Sequence, residues 1–568
     1  MAPHPGIESD QIREKARKDL LDLLEGVRGK KNLVLEQSLA GPIEIFVNFS
    51  TLQDHGVDKV FFLENDNVDA SQKNVIFLAR GEKANQPMAI AEQIKRLQKN
   101  SNIEHEFSII WVPRRTLVCN KILEEAGVLG DVGVQEFPLH FVPLEQDVLS
   151  LCLDDSFEDL YLLTYEGLID EMFGIKHNKA DIDTSVVGAA PGSQQSGKAP
   201  AIPSQQGMKR KIKLDSTDKL YEQLRDTNGA IVDGLLNKVA RRLQSDMENR
   251  HNKSVSELRD FVSKLPGYQS EQQSLKIHIN LTEEIMKNTQ TEIFRRSLEV
   301  QQNLYDGSDP SYQHDTIEEL IARDVPLTIV LRLLCLESCI SGGIRAKDLD
   351  NFKRLILHAY GYQHLLTLDA LEKIGLLSSR ASANVLMNPL GVGSSAPEGT
   401  KTNYNYLRKV LKLVVDEVNE QNPNDIAYVY SGYAPLSVRL VQAVIQKQYL
   451  LTIVKGASAA SNGVSSAAHG WQGFEDALRN IKGETFNKVQ KGEEQAVRAR
   501  HMLAGTGGKP KTVVVMFLGG VTFTEIAALR FVAKAEEGKR KILICTTDVV
   551  SGNGMMEAAI EKEDFGKG

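Results

Sequence analysis

The chain has 568 residues, 42% of them apolar and 25% charged. That is more than one hydrophobic core organises and close to the globular average, so two to four domains are expected and a fibrous or largely disordered chain is set aside. The formal net charge is −8 and the basic residues are dispersed rather than gathered into a stripe, which gives no footprint for nucleic acid.

In chain order, the N-terminal MAPHPGIESDQIREKARKDLLDLLEG mixes charges with a leucine stripe; it reads as an amphipathic helix and lacks the apolar core of a signal peptide. From Asn32 to about Leu151, short apolar runs (NLVLEQ, KVFFLE, NVIFLAR, FSIIWVPRR) alternate with helical patterns such as AIAEQIKRLQK, as in an open α/β sheet. The stretches Ser185 to Gly207, Ser378 to Thr402 and Lys455 to His469 are rich in small and polar residues and read as connectors. Lys209, Arg210, Lys211 and Lys213 end the first of these and read as solvated connector too.

The middle of the chain changes period. Leu235, Leu236, Val239, Ala240, Leu243 and Met247 recur at helical spacing, as do Leu258, Phe261, Val262 and Leu265, and helical patterns continue through LTIVLRLLCLESCIS and DNFKRLILHAYGYQHLL. Near the C-terminal end, KTVVVMFLGG, TFTEIAALRFVAKAEEG and KILICTTD form a strand, helix, strand unit, which puts its two strands parallel. The fold class is therefore α/β with an inserted all-α region. The longest strongly apolar runs, such as Val513 to Leu518, fall far short of the ~20 residues a spanning helix needs, so a membrane role is expected to be peripheral and through partners.

Enzyme-like chemistry finds little support. Gly519 and Gly520, between a strand and a helix, are where phosphates bind in Rossmann-type folds, and a nucleotide-binding α/β enzyme using this turn is the alternative reading. The GxGxxG spacing is absent, however, and a structural turn capped by Thr522 or Thr524, with Glu525 in the first helical turn, is the preferred reading. GTGGKPKT, from Gly505 to Thr512, precedes its strand, whereas a phosphate loop follows one. The five cysteines, Cys119, Cys152, Cys335, Cys339 and Cys545, are odd in number and scattered, which fits a reducing cytosol. Cys335 and Cys339 share a helix face without a further Cys or His to complete a zinc motif, so both are expected in the core. No catalytic residue, cofactor or metal is expected.

Four phrases rise above this background: LTYEGLIDEMFGI from Leu163, KLPGYQSEQQSLKIHINLTEEIMK from Lys264, NPNDIAYVYSGYAPLSVRLVQ from Asn422 and FLGGVTFTEIAALRF from Phe517. Together they resemble the SM family, the Sec- and Munc-type regulators of SNARE proteins, and in particular its vacuolar branch. The resemblance implies an arch of two open, mostly parallel α/β sheets and a helical domain. It divides the chain into an α/β domain 1 (1–150), a discontinuous α/β domain 2 (151–215 and 426–568) and a helical domain 3 (216–425), whose 216–310 part faces SNAREs and whose 311–425 part faces a companion subunit.

The resemblance further implies a non-enzymatic subunit of HOPS- or CORVET-type tethers that binds SNARE helices, needs no cofactor and acts peripherally on vacuolar, lysosomal and late endosomal membranes. The companion, a vacuolar sorting protein 16 type subunit, would dock on the stretch holding Lys353, Tyr362 and Leu365, and Leu265, Pro266, Gly267 and Tyr268 would form a hinge in the SNARE-binding hairpin. A proline within an apolar periodic stretch is compatible with a bend there. One departure stands out: EDLYL, Glu158 to Leu162, runs straight into LTYEGLIDE, where the family carries a long stretch that supplies helices and a central strand of domain 2. A sheet short of an interior strand is expected to show exposed apolar faces and unpaired edges, and to fold poorly.

Overall fold

The computed structural model describes residues 9–562 except 66–67, 70, 83, 102, 152–162, 189–208, 249–254, 381–402, 456–470, 472, 482, 487 and 489–510; the side chains of 246–248, 255–266 and 454–455 also lie outside the description. The first sheet contains β1 (Lys31–Leu35), β2 (Val57–Phe62), β3 (Asn74–Arg80), β4 (Glu106–Val112) and β5 (Val132–Glu136), all parallel, in the order β2-β1-β3-β4-β5. The alternation of side chains along a strand splits its apolar residues between two faces. Leu33, Leu35, Ile76, Leu78 and Ile110 pack with Leu20, Leu24 and Ile43, while Val34, Val75, Phe77, Ile109 and Trp111 pack with Ile90, Ile94 and Leu97. Both faces are thus covered, which is why β1 and β3 read as unbroken apolar runs.

The next strands, β6 (Val142–Pro143) and β7 (Val148–Ser150), leave the first sheet. A small antiparallel sheet follows, formed by β8 (Ile175–Lys176), β9 (Lys179–Asp183) and β10 (Lys209–Lys213). Its tight turn places His177 and Asn178 at positive φ, 51° and 60°, as a two-residue hairpin requires. The basic cluster read as connector is therefore β10, whose backbone pairs with β9 from Lys209↔Asp183 to Lys213↔Lys179 while most of its charged side chains stay outside the core. Likewise Ser379–Arg380, read as the start of a connector, is β12, pairing with β11 (Ile344–Arg345).

The last strands, β13 (Lys511–Phe517) and β14 (Arg540–Thr546), complete the second large sheet in the order β13-β14-β7-β6, with β13, β14 and β7 parallel and β6 antiparallel. Residues 142–150 consequently belong with the C-terminal strands, and the boundary read at residue 150 moves ahead of Val142; long-range pairing of Val148 with Ile544 decides this, not local pattern. The inserted helical region includes Gly229–Glu248, Val255–Thr289, Leu327–Ser341, Ala346–Tyr360 and His364–Lys373. Its core gathers Leu320, Val330, Leu334, Phe352, Ile356 and Leu371, and Met555 and Met556 of the C-terminal helix Gly552–Ala559 enter the same cluster.

Cys335 is in this core, but Cys339 is exposed, because it sits near the end of helix Leu327–Ser341 where the chain leaves the core. Among the described residues no helix is long and apolar enough to cross a membrane.

Candidate functional site

The Gly519–Gly520 turn lies at the end of β13. Both glycines adopt positive φ, 104° and 118°, conformations that side chains with a Cβ rarely reach. The helix they precede, Phe523–Ala535, opens with a capping box: Thr522 Oγ1 accepts from Glu525 N (3.2 Å) and Glu525 Oε2 accepts from Thr522 N (3.1 Å). Ser437 donates to the other carboxylate oxygen, and Gly519 N donates to Thr547 Oγ1 (3.0 Å). Of the amides at this helix start, Thr522 N serves the buried Glu525 carboxylate, Glu525 N and Gly519 N serve threonine hydroxyls, and that carboxylate would also repel an anion. The turn is a structural cap, and the nucleotide-binding reading has no support.

Behind it lies a buried charge network that ties the parts of the discontinuous domain together. Arg530 meets Asp147 (2.9 Å), Asp226 (2.9 Å) and Glu166 (3.4 Å), and Tyr221 Oη donates to Glu166 (2.6 Å). Burial pushes Glu166 up to about 7 against the pull of Arg530 and Arg225. Asp170, whose side chain accepts from Ile175 N (2.7 Å), is pushed by burial to about 7 as well. For Asp147 burial acts upward too, but the charge and hydrogen bonds of Arg530 outweigh it and hold the carboxyl below its usual range.

The hairpin implied by the resemblance is built from Gly229–Glu248 and Val255–Thr289, linked by an ion pair between Arg242 and Glu271. Helix Val255–Thr289 is a single element through Leu265, Pro266, Gly267 and Tyr268, so the proline does not interrupt it as the sequence reading expected. The stretch is long enough that flanking turns hold the helix despite the lost N–H. The side chains of Leu265 and Pro266 lie outside the description; Gly267 is exposed and Tyr268 half-buried.

From Leu275 onward the helix is anchored, with Leu275, His278, Leu281, Thr282 and Ile285 buried at helical spacing. His278 Nδ1 lies 2.9 Å from Tyr165 Oη, its Nε2 lies 3.3 Å from Asp218 Oδ2, and its ring stacks on Tyr221. Burial works against ionised Asp218, but hydrogen bonds from His278 and Ser274 prevail and hold it down at about 2. Nothing in the local pattern marked His278 as an anchor, since its partners come from two distant segments, Tyr165 from one and Asp218 and Tyr221 from the other.

Tyr362 lies in the turn between helices Ala346–Tyr360 and His364–Lys373 and Leu365 in the first turn of the second, whereas Lys353 stands in the middle of the first helix, away from that turn. Tyr362 is 70% and Leu365 58% exposed, while Phe352, Ile356, Leu368 and Leu371 of the same helices are buried. Lys353 forms an ion pair with Glu372, and His358 meets the Tyr362 ring edge to face at 6.1 Å. Leu366 beside Leu365 and Ile374 at the far end of the second helix are also exposed; the sequence reading passed over both, although for Leu366 the run His364–Leu368 offers more leucines than one buried face accommodates. Among the described residues no cluster of side chains suited to a metal ion occurs.

Comparison with known proteins identifies the family. Vacuolar protein sorting-associated protein 33A of Rattus norvegicus is 32% identical over 632 aligned residues, covering 97% of this chain and 97% of its own. Vacuolar protein sorting-associated protein 33 of Schizosaccharomyces pombe is 30% identical, covering 97% and 98%. A solved structure of the SM protein Vps45 in complex with the Qa SNARE Tlg2 (1–310) shares the fold at a TM-score of 0.54 and 14% identity, covering 96% of this chain and 97% of that one. The alignment to the rat protein is longer than the 568 residues here, so that relative carries residues without a counterpart. The model of the Sec1 family matches residues 31–162 and 160–558, breaking where EDLYL meets LTYEGLIDE. With that match spanning most of its length, the chain belongs to the Sec1 family.

Proposed function

We propose that this chain is a SNARE-binding chaperone, the SM subunit of a HOPS- or CORVET-like tether, promoting vesicle docking and membrane fusion at the vacuole, lysosome or late endosome. The observation that carries the reading is the likeness to vacuolar sorting proteins over nearly the whole chain. The protein acts by binding rather than catalysis, and the one enzyme-like turn is closed by its own carboxylate. A rigid, anchored helix that holds a SNARE helix in register lowers the ordering entropy its assembly must overcome. Helix Val255–Thr289 suits that task, being fixed from Leu275 to Ile285 and polar and solvent-facing at Gln269, Ser270, Gln272 and Gln273.

In this reading Leu265, Pro266, Gly267 and Tyr268 form the hinge of the SNARE-facing hairpin. Tyr362 and Leu365, rimmed by Lys353, receive the vacuolar sorting protein 16 type subunit. An exposed aromatic and aliphatic cluster bordered by charge has the composition of a subunit interface core and rim. The protein reaches membranes peripherally, through these partners. The test is pull-down of the recombinant chain against a panel of vacuolar SNAREs, with and without the 16-type subunit. Selective capture of vacuolar SNAREs supports the proposal; equal capture of none or all of the panel overturns it.

A further inference from the structure

The outer strand of the second large sheet has an open edge among the described residues. Among the described residues β13 pairs only with β14. Lys511 N donates to Lys539 O, and Phe517 O accepts from Thr547 N. The odd-numbered residues therefore bond toward β14, and Thr512, Val514 and Met516 turn their N–H and C=O groups toward the open edge. The side chains of the same register face solvent: Val514 is 51%, Met516 43% and Leu518 80% exposed. On the opposite face Val513, Val515 and Phe517 pack against the main core. The exposed stripe continues a small cluster of Leu149, Leu543 and Cys545, which Ile12 and Phe141 cover only as far as β14.

The edges of the first sheet are guarded in ways this one is not. β2 carries Asp58 and Lys59, and β5 ends in Gln135 and Glu136. From Thr512 to Leu518 there is no charge and no proline, so the side-chain devices that normally keep an edge from pairing are missing from this strand. The segment also combines high β-propensity with neutrality, the composition of strands that pair with copies of themselves.

We propose that the free edge of β13 pairs with β13 of a second copy of this chain, antiparallel about a two-fold axis at Val514. In that register the outward-bonding residues meet only one another: Val514 faces its own copy and Thr512 faces Met516. Apolar side chains then contact across the strands on the exposed face. Charge selects the direction. Lys511, Arg540 and Lys541 cluster at the N-terminal ends of β13 and β14; antiparallel pairing sends the two basic ends to opposite sides, whereas parallel pairing would place Lys511 beside its copy.

Sedimentation velocity on the full chain across the micromolar range tests this, together with hydrogen exchange at the two concentration limits. We expect concentration-dependent self-association, with the amides of Thr512, Val514 and Met516 gaining protection as it proceeds. Val514→Pro removes an N–H that points outward, and Met516→Lys installs a charge at an already exposed position; each should return the protein to a monomer with an unchanged far-UV circular dichroism spectrum. If the proline variant fails to fold, the lysine variant carries the test. Mixing Met516→Lys with Thr512→Glu should restore association through the opposed pair. A chain that stays monomeric, association that survives Met516→Lys in folded protein, or edge amides already protected in the monomer by another part of the chain would each overturn the proposal.

Discussion

Asp170 and Tyr362 show how a single side chain acquires a role that its residue type does not announce. Asp170 is buried in helix Tyr165–Phe173 and its value rises to about 7 from an ordinary 3.8. Between those values the folded state keeps a proton that the unfolded chain has lost, so the stability this group contributes at acidic pH is lost as pH rises through 7. Asp170→Asn keeps an acceptor for Ile175 N and removes the titration. Denaturant titrations should find its stability less dependent on pH between 3.8 and 7, and at pH 8 the variant should exceed the parent by a few kcal/mol. Tyr362 is the opposite case, an aromatic with little to lose on folding. Tyr362→Asp should abolish co-purification with the 16-type subunit while changing monomer stability by no more than about 0.5 kcal/mol; a large fall in melting temperature would mark Tyr362 as a packing residue instead.

At the scale of the element, helix Val255–Thr289 joins two parts with different support. Below Tyr268 it is held by Tyr165, Asp218 and the stacked Tyr221 ring through His278. Above it, Pro266 removes a ladder hydrogen bond, which costs a helix interior about 3 kcal/mol relative to alanine. In the hinge proposed above, the distal half is the part whose conformation a bound SNARE would bias. Pro266→Ala should favour the continuous helix and strengthen binding of the vesicle-side SNARE, with docking through Tyr362 unchanged. Calorimetric titration decides it: unchanged or weaker affinity in folded protein removes the hinge. Far from this hairpin, the capping box at Thr522 and Glu525 shows a helix start spent on internal structure.

Across the whole molecule, the helical insertion and the discontinuous α/β domain are joined by buried polar contacts as well as apolar packing. Arg332 of helix Leu327–Ser341 forms an ion pair with Glu171 and reaches Asn553 at 3.2 Å, and Asn553 returns a bond to the Glu171 carbonyl at 3.1 Å. Gly552 lies so close that a Cβ there would meet the Arg332 guanidinium. Glu171→Ala would remove the carboxylate that faces a buried cation, a loss of roughly 3–5 kcal/mol. Because the contact spans two cores, the expected result is a separate, earlier unfolding transition of the helical region in calorimetry. A single transition with an unmoved midpoint would show that apolar packing alone unites them.

The sequence by itself determined the order of α/β, helical and α/β regions, because strand alternation and helical spacing are local signals, and its four phrases carried the family. It also located the departure at EDLYL–LTYEGLIDE, at which the family match breaks. Only the tertiary structure decided that residues 142–150 pair with β14 rather than with the first sheet, that Lys209–Lys213 is a strand, and that Cys339 lies outside the core that holds Cys335. Local pattern cannot settle such questions, since a strand's partner and a helix residue's exposure are fixed by what packs against them. The same limit applies to the anchor at His278 and the charge network of Arg530, whose members lie far apart along the chain. For β13 both levels were needed: the sequence supplied a neutral apolar strand, and the sheet order left its edge open among the described residues, with Val514, Met516 and Leu518 exposed.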